Sequence, residues 1–392
     1  MRTGTDMEAK RPETPMGEAP LMEATGDNIV LFHPHIPAAA AEMVTRVLST
    51  RWVGQGPRVD DFEREFGARF GRGRAAIAVG SGTDALHLAY LLAGIEAHDD
   101  VIAPVFTCTA TNIPLLYIGA RVVFADVQLR TMNIDPADVR RRITKKTKAI
   151  VCVHYGGLPC DMAELQAIAD EFGLTIIEDA AHALGASYRG RLIGEISDFT
   201  MYSFQAIKHI TTGDGGMLVI KDPALVDRGK RIRWFGIDRK AKREGIWAND
   251  IREVGYKYQM TDIGAALGLS GLVEFDAILF HRQQLLNEYI EGLRGVPGLT
   301  VVGTDVTDRV HAAWLCTVLV DDRDGLRAKL REHGIESAQV HYRNDRYSIF
   351  GGRRDDCPSM DALEDRYLVL PLHTKIRQEH VRRVCDVIKS GW

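Results

Sequence analysis

The chain has 392 residues, of which 45% are hydrophobic and 26% charged, enough to bury the core of one large domain and a smaller companion. A formal net charge of −4 argues against a nucleic-acid surface, and no apolar run reads as long enough to cross a bilayer. Six scattered cysteines (Cys108, Cys152, Cys160, Cys316, Cys357 and Cys385) form no CxxC pair and no zinc spacing, so reduced thiols and no metal site are expected.

Residues 1–27 are rich in Glu, Pro, Gly and Thr without an apolar core, which predicts a disordered tail, not a signal peptide, on a cytoplasmic protein. From there to about residue 275, strand-like runs at 75–79, 101–104, 121–124, 149–153, 175–178, 199–203 and 217–220 alternate with helical segments such as 84–92 and 162–172. That alternation predicts an α/β domain over 28–275: a mostly parallel sheet with helices on both faces. Its first stretch, 28–60, is free to pack on the second domain. After residue 275 the texture changes to a long helical stretch at 275–293, then 312–320, 326–333 and a C-terminal helix near 378–388. We expect a small α+β domain over 276–392.

Several segments carry chemistry. Ala75 to Tyr90 reads as strand, Gly80-Ser81-Gly82-Thr83 turn, then helix; the free N–H groups around Thr83 and Asp84 would cradle a phosphate. The turn lacks the Walker lysine and the full dinucleotide fingerprint, which favours a phosphate monoester over a nucleoside triphosphate or NAD. Farther on, Ile176-Ile177-Glu178-Asp179 ends a β-branched run on a carboxylate. Two readings fit Asp179: a cap for the next helix, or a buried carboxylate at a strand's carboxyl edge that keeps a pyridinium nitrogen protonated. Ser203 ends another strand, and Lys208 follows it before the turn Gly213-Asp214-Gly215-Gly216. A lysine held at a sheet edge can form a Schiff base once it loses its proton.

The order of these features, with Trp52-Val53-Gly54-Gln55-Gly56-Pro57, Ala125-Asp126-Val127 and Asn133-Ile134-Asp135, His154-Tyr155-Gly156-Gly157, Glu178-Asp179-Ala180-Ala181-His182 and Met260-Thr261-Asp262-Ile263, resembles fold-type I pyridoxal 5′-phosphate (PLP) transferases. Specifically, the chain from about Ile29 onward resembles the DegT/StrS-type nucleotide-sugar aminotransferases. The resemblance implies that Lys208 carries PLP and shuttles a proton between cofactor and substrate, and that Asp179 pairs with the pyridine nitrogen. It places Gly82, Thr83, Asp84 and Ser203 on the phosphate and His182 beside the ring. Lys257 stands where the partner subunit of a homodimer commonly gives an asparagine to the phosphate, and Phe106 or Cys108 stands where an aromatic ring commonly stacks on the cofactor. Relatives that remove oxygen from sugars carry histidine in place of the lysine; here His209 is the neighbour, and the spacing matches the lysine pattern.

The implied activity is transfer of an amino group from L-glutamate to a nucleotide-linked keto-deoxysugar, with a dTDP-4-keto-6-deoxyhexose as the expected acceptor. A 3-keto acceptor, a PLP-dependent dehydratase and a non-catalytic PLP-binding regulator are the alternatives. Arg231, Arg233, Arg239, Lys257 and the segment 340–347 read either as cations for the diphosphate or as a solvated basic loop.

Overall fold

The computed structural model describes residues 20–248 and 250–392. Most of the predicted tail thus lies outside the described residues. Seven strands build the central sheet: β1 (Ala75–Val79), β2 (Asp100–Pro104), β3 (Arg121–Ala125), β4 (Thr147–Val153), β5 (Thr175–Asp179), β6 (Phe199–Ser203) and β7 (Gly216–Ile220). Their order is β1-β7-β6-β5-β4-β2-β3. All run parallel except β7, which pairs antiparallel with both β1 and β6. All five residues of β2 and of β7 are buried, as expected for strands covered on both faces.

The covering helices follow from apolar stripes at helical spacing. On one face, helix Pro57–Phe70 sends Phe62, Phe66 and Phe70 against Tyr202, Phe204 and Phe275. On the other, helix Gly82–Leu92 buries Leu86, Leu88 and Tyr90 with Leu115 and Ile232. The result is an α/β domain with a mostly parallel sheet covered by helices on both faces, the architecture expected from the sequence.

A second core gathers around a three-stranded antiparallel sheet of β8 (Leu299–Val301), β9 (Cys316–Val320) and β10 (Tyr367–Leu370), with the helices Arg323–Glu332 and Gln378–Lys389. Ile29 belongs to this core and bridges Ile335. The long helix expected from residue 275 begins at Asp262 and ends at Gly292, so one element crosses position 275. Leu269, Leu272 and Phe275 pack in the large core, Leu285, Leu286 and Tyr289 in the small one. An 18-residue window of this helix has mean hydropathy 1.7, enough to cross a membrane by length and composition. Glu274 and Asp276 interrupt its apolar residues, so no unbroken apolar run marks it in the sequence. In the fold 56% of that window is buried, and the helix serves as the spine joining the two cores.

Strand β1 is a sheet edge, and a buried ion pair finishes it. Glu63 Oε1 accepts from the Ala78 N–H at 3.0 Å, and Arg233 Nη1 donates to the Ala78 carbonyl at 2.8 Å and to Glu63. Arg233 therefore completes an edge of the sheet. Glu63→Ala would leave the Arg233 charge buried without its counter-ion and the Ala78 N–H without an acceptor, and is expected to lower unfolding free energy by about 3–5 kcal/mol, measured by denaturant titration of wild type and variant.

Candidate active site

The carboxyl ends of β1, β5 and β6 open on one cavity of about 400 Å³. Lys208 lies in the turn after β6, with Lys208 N–H bonded to the Gln205 carbonyl at 2.9 Å. Its amine meets the indole face of Trp314, Nζ to ring centroid 3.6 Å. Burial pulls that amine down from 10.5 to about 8, with Arg282 pushing the same way against Cys108 and Asp179. A tenth or so of it is therefore uncharged near neutral pH, a far larger share than for a solvated lysine. His209 turns away and sets Nε2 2.7 Å from the Ala312 carbonyl, so of the two neighbours only Lys208 lines the cavity.

Asp179 ends β5 inside the cavity and is 4% exposed. Thr111 Oγ1 donates to its Oδ2 at 2.7 Å, and the Ala181 N–H donates to its Oδ1 at 3.1 Å. Burial pushes the carboxyl upward, opposed first by Thr111. A carboxylate so placed gains from any cation brought into the cavity.

The third part is a helix start. Ser81 caps helix Gly82–Leu92, its Oγ accepting from the Asp84 N–H at 3.0 Å. Gly82, Thr83 and Ser203 line the cavity here. A Cβ on Gly82 would come within 3.1 Å of Ser203 Cβ, so the bare glycine keeps the cradle open. Antiparallel pairing of β7 sets Gly216 opposite both Val79 and Ser203; a Cβ there would sit 2.4 Å from the Ser81 carbonyl.

His182 stacks on Trp314 with centroids 3.8 Å apart and lies 5.4 Å from the parallel ring of His341. Its Nδ1 accepts from the Gly156 N–H at 3.3 Å, which leaves the ring proton on Nε2. Burial holds His182 well below the ordinary histidine range and His341 near about 3, so both are neutral. The His154-Tyr155-Gly156-Gly157 turn also docks the opposite wall: the Trp314 N–H donates to the Gly156 carbonyl at 3.0 Å and the Ala312 N–H to that of Gly157 at 2.9 Å.

The structure thus brings Gly82, Thr83, Cys108, Asp179, His182, Ser203 and Lys208 to one cavity. Between the two positions left open for a ring-stacking residue, Cys108 faces it; Phe106 is 1% exposed and packs edge-on to Tyr155 and Tyr367. Two expected phosphate residues stand outside the lining. The Asp84 carboxyl folds back on the Gly80–Ser81 turn, where burial lifts it to about 6. Lys257 Nζ lies 4.3 Å from the Trp234 ring centroid. Arg343 is likewise internal, paired with Asp345 at 2.6 and 2.7 Å and with Asp361. Trp314 and Thr111 were missed as site residues, and His341, read only as part of the segment 340–347 for the diphosphate, lines the cavity beside His182.

A buried amine, a buried carboxylate and an open helix N-terminus with two nearby hydroxyls are what an aldehyde, a pyridine nitrogen and a phosphate monoester each require. The residues fit PLP.

Comparison with known proteins agrees. Residues 34–389 match the DegT/DnrJ/EryC1/StrS aminotransferase family. The chain belongs to this family. GDP-perosamine synthase of Escherichia coli O157:H7 is 32% identical over 366 residues, 92% of this chain and 98% of that protein. Among solved structures, AtS13 from Actinomadura melliaura is 36% identical with a TM-score of 0.89, covering 94% of this chain and all of that one. The PLP form of a putative sugar aminotransferase, Spr1654 from Streptococcus pneumoniae, is 28% identical with a TM-score of 0.86, covering 93% and 98%. The protein is a PLP-dependent sugar aminotransferase. When bound, PLP supplies an aldehyde for the amine and an electron-accepting ring.

Proposed function

We propose that this enzyme moves an amino group from L-glutamate to the keto carbon of a nucleotide-linked 4-keto-6-deoxyhexose, acting as a cytoplasmic homodimer. The observation that carries this reading is the buried Lys208 amine sharing one cavity with Asp179 and the Gly82–Thr83–Ser203 cradle. In it, Lys208 binds the cofactor aldehyde and then moves the proton at the reacting carbon; Asp179 holds the ring nitrogen; the cradle holds the phosphate. His182 and Trp314 wall the space and exclude water. Transamination, and not loss of oxygen, is favoured because a lysine and no histidine occupies the position next to the cradle, His209 being tied to Ala312.

Pairing of two copies is supported by Phe235, Ile246, Trp247, Ile251 and Val254, which are exposed in the same stretch of chain as Lys257, itself close to the Phe235 ring; exposed apolar and aromatic residues near a cation suit an interface. Lys257 would then reach the partner's phosphate. The nucleotide is dTDP in the reading that the sequence resemblance implies, while the Escherichia coli relative is named for a GDP sugar.

The test is spectroscopic. Protein loaded with PLP should show a visible band from the Lys208-linked cofactor that bleaches on adding L-glutamate and returns on adding dTDP- or GDP-4-keto-6-deoxyhexose, with an amino sugar as product by mass spectrometry and NMR. A band that glutamate leaves unchanged would sink the donor. A dehydrated or 3-amino product would replace the acceptor chemistry.

A further inference from the structure

Arg282 sits on helix Asp262–Gly292, between the part packed in the large core and the part packed in the small one, and is 2% exposed. Its hydrogen bonds all go to carbonyls: Nη1 donates to Leu372 at 2.8 Å and to Ala313 and Trp314 at 3.4 Å each. Its Nε has no partner, and among the described residues no carboxylate lies within ion-pair reach. Burial draws it down to about 10, which leaves it charged at neutral pH. An unpaired buried cation is costly, and an apolar residue of like volume would be cheaper to bury.

The turn it grips is strained. Ala313 has φ +53, a left-handed conformation that a non-glycine residue keeps only where its surroundings enforce it. From that turn Trp314 projects to stack on His182, to donate from Nε1 to the Ile207 carbonyl at 3.1 Å, and to lie against the Lys208 amine.

We propose that Arg282 is a positioning residue: its guanidinium clamps the Ala313–Trp314 turn from behind, so that the indole holds Lys208 in place, and its fixed charge opposes a second charge on that amine. Of the groups facing Lys208, Cys108 and Asp179 favour the charged amine, while burial and Arg282 oppose it; His182, His341 and His209 are neutral. The inference rests on reading Lys208 as the residue that carries the cofactor.

The holoenzymes of wild type, Arg282→Met and Arg282→Lys are compared by the pH midpoint of the visible cofactor band and by the rate of bleaching with glutamate. Removing the charge is expected to raise the midpoint and to slow bleaching about tenfold. Lysine keeps the charge and loses the fork, so its midpoint should stay within about 0.2 units of wild type while bleaching still slows about tenfold. An unchanged midpoint in Arg282→Met overturns the electrostatic half. Wild-type bleaching in Arg282→Lys overturns the clamp, and this variant decides if Arg282→Met does not fold. A wild type with no visible band overturns the reading of Lys208 itself, which a shift confined to the variants does not.

Discussion

Lys208→Ala is expected to lower the rate of amino transfer from glutamate by about 10,000-fold or more, because one side chain both binds the cofactor aldehyde and moves the proton. Stopped-flow absorbance of the glutamate step measures it; a loss under about tenfold would remove Lys208 from the chemistry. Its burial gives a second, opposite effect on stability. In the folded chain the amine is drawn to about 8 from 10.5, so the burden of a buried charge is absent above about pH 10.5, grows as pH falls, and is complete below about 8. Cofactor-free Lys208→Met should therefore be more stable than cofactor-free wild type at pH 7, by roughly 1–3 kcal/mol, and the gain should shrink as pH rises past 8. A function kept at a cost in stability is what distinguishes this lysine from a solvated one. Equal melting temperatures across that pH range would count against the buried, depressed amine.

Lys208, Asp179, Ser203 and the Gly82 turn were legible in the sequence because each sits at the carboxyl end of a strand, where a local change from apolar run to polar turn marks the sheet edge that binds ligands. Strand positions were legible for the same reason. The direction of β7 was not, since an apolar run such as Met217-Leu218-Val219-Ile220 reads the same either way. Trp314 escaped because it joins the site through residues distant in sequence, such as Ile207 107 positions away, and its own segment looks like ordinary core; His341 was read with the basic segment 340–347, and its approach to His182, 159 positions away, leaves no local mark. Arg233 and Arg343 misled in the other direction: a positive charge in sequence suggests an anionic ligand, but their partners are Glu63, 170 positions away, and Asp345 and Asp361, carboxylates whose pairing shows only in the fold. Motifs that carried the family resemblance also have plain structural work. Asp262 accepts the Gly56, Arg58 and Val59 amides to cap helix Pro57–Phe70, and Asp126 accepts those of Ser359 and Met360.

Asp179→Asn is expected to slow amino transfer by about 100- to 1,000-fold, the range seen when one preorganised charge interaction is removed from a site. Asparagine keeps the shape: its one amide oxygen can accept from the Ala181 N–H while its NH2 donates to Thr111 Oγ1, whose own proton can turn to Thr107, so the fold should hold while the charge that keeps a pyridine nitrogen protonated is gone. The sign of the stability effect depends on the cofactor. Burial raises the carboxyl in the folded chain, so in the cofactor-free protein its ionised form is a burden that is absent at acid pH, below the unfolded value, grows as pH rises from there, and is complete above the folded value. Asp179→Asn should then melt higher than wild type at pH 7 without PLP. With PLP the order should narrow or reverse, because a ligand that prefers the charged acid stabilises wild type more. The measurement is the PLP-induced shift in melting temperature of wild type, Asp179→Asn and Thr111→Val, the last removing one hydrogen bond to the carboxylate and so falling between the others. If PLP shifts all three equally, the ring nitrogen is not held by Asp179, and the acid at the end of β5 serves the turn that follows it and not the cofactor.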